Sequence, residues 1–189
     1  RYQTVFADAH HAGSVAAPTA GLHFTPELLA RIAAIGVRRE HVTLHVGTGT
    51  FKPVETEFVE QHPMHAEWCE LPASTANAIS AARAHAHRVI AIGTTSARTL
   101  ESFSPAELTA AANNSAQLAK WTRLLVTPGH RFNHIDALLT NFHLPRSTLL
   151  AIVGALLPEG VPRLLSHYQT AINHHYRFYS YGDAMLILP

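Results

Sequence analysis

The segment RVIAIGTTSARTLES, Arg88–Ser102, changes character at Gly93. The residues before it form a short continuous apolar run, the signature of a strand buried on both faces. After it, hydroxyl residues open a helix. A strand that turns through one glycine into a helix is the building unit of an α/β fold. It also aims free backbone N–H groups at the space beyond the strand, where an anion is stabilised. Thr94, Thr95 and Ser96 add donors there, and Arg98 supplies a fork able to grip a carboxylate or a phosphate. Plain helix capping explains the same residues equally well.

Similar units lie on both sides. TPELLARIAAIG predicts a helix with Thr25 as N-cap, Pro26 in the first turn and Gly36 as the stop. HVTLHVG predicts a strand ending at the glycines of GTGTF. STANAISAARAHAH predicts an Ala-rich helix. SPAELTAAANNSAQLA predicts a helix with a capping box, Ser104 with Glu107. RLLVTPG predicts a second buried strand, and HIDALLTNF reads as a third strand or a short helix. STLLAIVGALL predicts a helix capped by Ser147, and VPRLLSHYQTAINHH predicts another. YRFYSYGDAMLIL predicts two strand-like halves hinged at Gly182. The expected architecture is one α/β domain over residues 1–189, with a largely parallel sheet flanked by helices.

The 189 residues suffice for one sizeable core. The chain is 47% hydrophobic and 14% charged, against about 25% charged in an ordinary soluble domain. It is therefore not a disordered chain, and part of its surface is expected to be covered by something else. A net charge of +1 lacks the basic stripe of a dedicated DNA binder. The single cysteine, Cys69, excludes an internal disulfide framework and fits a reducing cytosol. With no secretory signal pattern and no bilayer-length apolar run, a cytoplasmic protein without membrane contact is expected.

In a parallel sheet, ligands bind beyond the carboxyl ends of the strands. Four predicted strands end in polar tips: Gly47-Thr48-Gly49-Thr50, Thr94-Thr95-Ser96, Pro128-Gly129-His130 and Asn141-Phe142-His143. Asn141 and His143 stand out, because the Pro-containing turn after them would hold them in place. GTGT is not a dinucleotide fingerprint, and there is no P-loop lysine. No nucleophile elbow supports serine hydrolase chemistry. The spacing of His62, His65 and Glu67 is wrong for the common zinc motifs, so no metal is expected. If that segment is extended, His65, Glu67 and Cys69 share one face. His45, within an apolar alternation, reads first as a satisfied core histidine.

Seven segments taken in order resemble one family, the S-adenosylmethionine:tRNA ribosyltransferase-isomerases of queuosine biosynthesis. They are YQTVFA, GSVAAPTAGLHFT, VTLHVGTGTFKPV, HPMHAEW, RVIAIGTTSARTLES, DALLTNFHLPRSTLL and YRFYSYGDAML. The chain resembles the C-terminal α/β part of that family. The resemblance implies that the family's additional small β-barrel domain is missing and that the chain is a fragment of a longer two-domain enzyme. His130 and Trp121 depart from the family pattern beside these motifs rather than within them.

The resemblance implies a reaction in which the ribosyl unit of S-adenosylmethionine moves to the aminomethyl group of a 7-deazaguanine in tRNA. The unit is rearranged on the way, and adenine and methionine leave. S-adenosylmethionine is consumed as a substrate, so no cofactor is implied. The implied partner is tRNA with a GUN anticodon carrying the precursor base, and the expected state is a monomer. Under this resemblance His45, His143 and the His65/Glu67 pair share the proton transfers. Thr94, Thr95 and Arg98 hold a carboxylate or phosphate. Asn141 and Asp183 read polar edges of a base or ribose, and His23 joins this substrate-binding set. Tyr181, Phe24 and Phe142 are stacking candidates. The competing expectation is a non-catalytic module that binds S-adenosylmethionine or RNA without turnover. A histidine-based metallohydrolase is the weakest reading.

Overall fold

The computed structural model describes residues 2–188. In chain order the regular elements are α1 (Pro26–Ala34), β1 (Thr43–Leu44), β2 (Glu67–Leu71), α2 (Ala73–Ala84), β3 (Ile90–Ile92) and α3 (Thr94–Glu101). They continue with α4 (Pro105–Asn114), β4 (Leu118–Thr122), β5 (Ala137–Asn141), α5 (Thr148–Ala155), α6 (Gly160–Asn173) and β6 (Ala184–Ile187). Short 3-10 turns lie between them, of which Thr19–His23 and Thr48–Phe51 matter most here.

The α/β reading stands, but its sheet is more mixed than expected. Among the described residues there are two three-stranded sheets, ordered β1-β2-β4 and β3-β5-β6. Of their strand pairs, β3 and β5 run parallel, with Ile90 opposite Ala137 and Ile92 opposite Leu139. The other pairs are antiparallel. Burial explains the difference. β5 is buried on both faces, as the centre of a sheet with a parallel neighbour must be. β4 alternates between exposed and covered residues, which suits an antiparallel strand with one wet face.

RLLVTPG forms no strand. β4 precedes it, and the Thr122 hydroxyl accepts the Leu124 amide at 3.1 Å, so the ladder stops there. Val126 still inserts into the core. The first half of YRFYSYGDAMLIL is also not a strand. It folds into a turn in which Gly182 N–H donates to the Tyr179 carbonyl at 3.0 Å and Asp183 N–H to Arg177 at 2.7 Å. A side chain at Gly182 would collide with the Arg177 carbonyl, so only glycine closes this turn.

The helices start at their sequence signals, but the one expected over SPAELTAAANNSAQLA ends at Asn114, where Ser115 turns left-handed, and Leu118 and Ala119 instead open β4. Thr25, Ser104 and Ser147 each accept an N-terminal amide of their helix, and the Ser104/Glu107 capping box is complete. α3 is the element that organises the molecule. Six of its eight residues are buried, Arg98 and Glu101 among them, and it packs on strands of both sheets. Gly93 adopts φ +87° at its start, a conformation that L side chains rarely adopt, which lets β3 turn directly into it. One continuous apolar cluster, including Leu71, Leu100, Phe103, Leu138 and Ile152, fills the space around α3. Among the described residues no single helix is long and apolar enough to cross a membrane; α5 and α6, bent by 102°, pass only as a pair.

Candidate functional site

Two polar groups and one enclosed histidine gather around α3 and the tip of β5. The first group joins α3 to β2. Glu67 opens β2, and its side chain is 1% exposed. Its Oε1 accepts the Gly47 amide at 2.7 Å and the Thr50 hydroxyl at 2.6 Å. Its Oε2 lies 2.6 Å from Arg98 Nη1, close but off the hydrogen-bond line, so the contact is an ion pair. Nη1 also reaches Thr50 Oγ1 at 3.5 Å.

Glu67 Oε1 is thus fully engaged while Oε2 has only the ion pair, and Arg98 keeps an unpaired edge. Its Nε and Nη2 are buried and have no partner among the described residues. These two nitrogens carry the parallel N–H bonds of the side-on fork, the geometry that matches a carboxylate or phosphate. An unpaired donor buried in this way costs about 1–3 kcal/mol. An anion seated on the fork would remove that penalty. Thr94 lies one helical turn before Arg98 and Thr95 three residues before it, so both share its side of α3. Gly93 offers no side chain to cap the helix.

The second group surrounds Asn141 at the end of β5, where the side chain is buried. Its Nδ2 donates to the Tyr179 carbonyl and contacts His23 Nε2, both at 3.1 Å. Its Oδ1 accepts the Thr19 hydroxyl at 3.2 Å. The Thr19–His23 turn thus sits on the tip of β5, and its Ala20 lies beside Gly93. Asp183 accepts the Arg177 amide at 2.7 Å and its guanidinium at 2.9 Å. Arg177 holds that carboxyl below the usual range.

His143 stands apart. Its Nε2 is 2.9 Å from Thr140 Oγ1, and its amide donates to the Tyr168 hydroxyl at 2.9 Å. Burial pushes the imidazole down to about 4 and the Tyr168 phenol up to about 12. His143 is therefore neutral near pH 7 and can accept a proton only from a strong acid.

The remaining expected residues are dispersed. His65 is exposed, and its ring covers Gly49 of the Thr48–Phe51 turn, so it borders the Glu67 group from outside. The expected common face of His65, Glu67 and Cys69 begins only at Glu67, because β2 starts there. His45 follows β1, and its amide donates to the Trp68 carbonyl at 2.9 Å. Strand alternation then sets His45 with Trp68, on the face opposite Glu67. A side chain at Gly13 would meet His45 Nδ1 at 2.9 Å. Tyr181 is exposed and stacks edge-on against Tyr2, with ring centroids 6.2 Å apart. Phe142 is buried in an aromatic cluster with Tyr168, Tyr176 and Phe178. Phe24 packs on Phe6. Among the described residues no three His, Cys, Asp or Glu side chains are placed to hold a metal ion.

Four members of these groups escaped the sequence reading as site residues: Thr19, Thr50, Arg177 and the Tyr179 carbonyl. Thr50 was within a polar tip and Thr19 within GSVAAPTAGLHFT, so position alone could have suggested both. Nothing in the sequence points to a backbone carbonyl.

The family model described as "Queuosine biosynthesis protein" matches residues 1–187. A relative from Acaryochloris marina, called S-adenosylmethionine:tRNA ribosyltransferase-isomerase, is 52% identical over 100% of this chain and 48% of its own length. A relative of the same name from Paraburkholderia xenovorans is 53% identical over 99% of this chain and 52% of its own. The crystal structure of S-adenosylmethionine tRNA ribosyltransferase from Thermotoga maritima matches with a TM-score of 0.69 and 37% identity, covering 89% of this chain and 51% of that one. The chain thus spans about half the length of the relatives it matches.

Proposed function

The chain belongs to the queuosine biosynthesis protein family, and from that premise we propose that it serves the ribosyl transfer from S-adenosylmethionine to tRNA. In this reading the ribosyl unit moves to the 7-aminomethyl-7-deazaguanine of a tRNA with a GUN anticodon and is isomerised to give epoxyqueuosine. Adenine and methionine are released. S-adenosylmethionine is a substrate consumed in the reaction, and no cofactor or metal takes part. The protein acts in the cytoplasm as a monomer.

The observation that carries this reading is the buried, unpaired Nε–Nη2 edge of Arg98. The methionine part of S-adenosylmethionine ends in a carboxylate, the group that such a fork takes in two parallel hydrogen bonds. Thr94 and Thr95 extend the donor set along the same side of α3. Glu67 acts as a positioning residue: it fixes Nη1 and leaves the other edge open. His143, kept neutral by burial, serves the proton transfers as a hydrogen-bonding group rather than as the base for the proton beside the sulfonium. His65, whose ring covers Gly49 beside the Glu67 group, and His45 assist the proton transfers. Asp183 and Tyr181 meet the tRNA base or ribose.

The test is adenine release. The chain is mixed with S-adenosylmethionine and tRNA carrying the aminomethyl-deazaguanine, and adenine and the mass of the modified nucleoside are followed. Adenine together with the mass gain of the transferred unit supports the reading. Binding of S-adenosylmethionine without release supports instead a module that holds the substrate but does not turn it over.

A further inference from the structure

The Asn141 amide sets the tautomer of His23. The Tyr179 carbonyl can only accept, so the Asn141 group facing it at 3.1 Å must be Nδ2. The Thr19 hydroxyl meets Oδ1 at 3.2 Å, in agreement with that orientation. The same Nδ2 lies 3.1 Å from His23 Nε2. Two donors cannot share a hydrogen bond, so Nε2 must be the acceptor and the ring proton sits on Nδ1. Turning the amide over would set Oδ1 against the Tyr179 carbonyl, acceptor against acceptor. Asn141 is 2% exposed, which leaves no water to compensate such a turn. His23 itself is half-buried, and its Nδ1 has no hydrogen-bond partner among the described residues.

We propose that His23 is a neutral donor whose Nδ1–H bonds a ring nitrogen of the adenine leaving group, with Asn141 as the residue that positions it. The role follows from the chemistry. As the bond from ribose to adenine breaks, negative charge grows on the purine ring, and a fixed N–H donor stabilises that charge without transferring its proton. The ring meets Asn141 at the tip of β5, and Ala20 of the same Thr19–His23 turn lies beside Gly93, which opens α3, the helix that carries Arg98. This identification of the ligand rests on the ribosyl-transfer reading; the tautomer does not.

The experiment is nitrogen-15 NMR of the histidine rings in the full chain, with His23 assigned by its loss in His23→Asn. The expected result is a proton on Nδ1. Asn141→Asp should move it to Nε2, because a carboxylate accepts where the amide donated. Added adenine should shift the Nδ1 signal, and added methionine should not. A proton on Nε2 in the unaltered chain, or an Nδ1 that ignores adenine, overturns the proposal. In the adenine-release assay, His23→Asn places an amide N–H near the Nδ1 position and should retain at least tenfold more turnover than His23→Gln, which mimics Nε2. Equal activities also overturn it. If the unaltered chain releases no adenine, the ribosyl-transfer reading fails, and the NMR arms still decide the role of His23.

Discussion

Arg98 Nη1 lies 2.6 Å from Glu67 Oε2, with both side chains almost fully buried, and this pair ties α3 to the first residue of β2. It closes only one side of the guanidinium. Removing one member of a buried pair leaves the other charge uncompensated, at a cost of about 3–5 kcal/mol. Glu67→Ala should therefore lower stability by that order in urea unfolding. The double variant Glu67→Ala/Arg98→Met should be less destabilised than Glu67→Ala alone. A double variant that is the less stable of the two would show that the ion pair does not dominate this contact.

The pH dependence of stability carries a signature of His143. Its folded-state pKa is about 4, against an ordinary value of 6.5, so the unfolded chain binds this proton more readily. The stabilisation is complete above pH ~6.5 and is lost as pH falls toward 4. The whole effect is on the order of 3 kcal/mol at 1.36 kcal/mol per pKa unit. His143→Gln should flatten the acid limb between those values in unfolding curves measured along pH. An unchanged limb would mean that the imidazole is not desolvated in the folded protein.

Cys69 should resist thiol reagents. It is fully buried on β2, its Sγ reaches the Lys120 carbonyl at 3.4 Å, and burial pushes its thiol up. Little thiolate is present and none is accessible. Labelling should follow global unfolding, with the rate rising only as denaturant approaches the transition. Rapid labelling of the folded chain would contradict this placement.

Gly182→Ala should destabilise the turn that carries the Tyr179 carbonyl to Asn141. The added methyl would press on the Arg177 carbonyl and the Phe178 backbone, which cannot yield as a side chain would. A loss of about 2 kcal/mol or more is expected, with changes in the His23 ring signals. A variant of native stability with unchanged His23 signals would disconnect the turn from the site.

The α/β class and the main helices were legible because their signals are local. The caps at Thr25, Ser104 and Ser147 sit beside the helices they start, and each makes its expected hydrogen bond. Strand direction was not legible. Short apolar runs show burial but not partners, so only the β3–β5 pair matches the expected parallel arrangement. RLLVTPG is not a strand: the ladder ends at the Glu67–Thr122 pair, and the Leu124 amide turns to the Thr122 hydroxyl, neither of which periodicity reveals. Within the site, GTTSART drew attention to Arg98, but not to its partner 31 positions earlier in the chain. That partner, Glu67, drew attention as a proton carrier, and its ion pair with Arg98 was not legible in the sequence. Asn141 and His23 lie 118 residues apart in sequence, so their contact is a property of the fold alone.

The most direct measurement is calorimetric titration of the chain with S-adenosylmethionine and with its decarboxylated analogue, repeated with Arg98→Met. If the open edge of Arg98 seats the methionine carboxylate, the decarboxylated ligand binds the unaltered chain at least tenfold more weakly, a difference of about 1.4 kcal/mol. In Arg98→Met the two ligands then bind alike. Equal affinity of the unaltered chain for both ligands, with measurable binding of each, would contradict the assignment of Arg98.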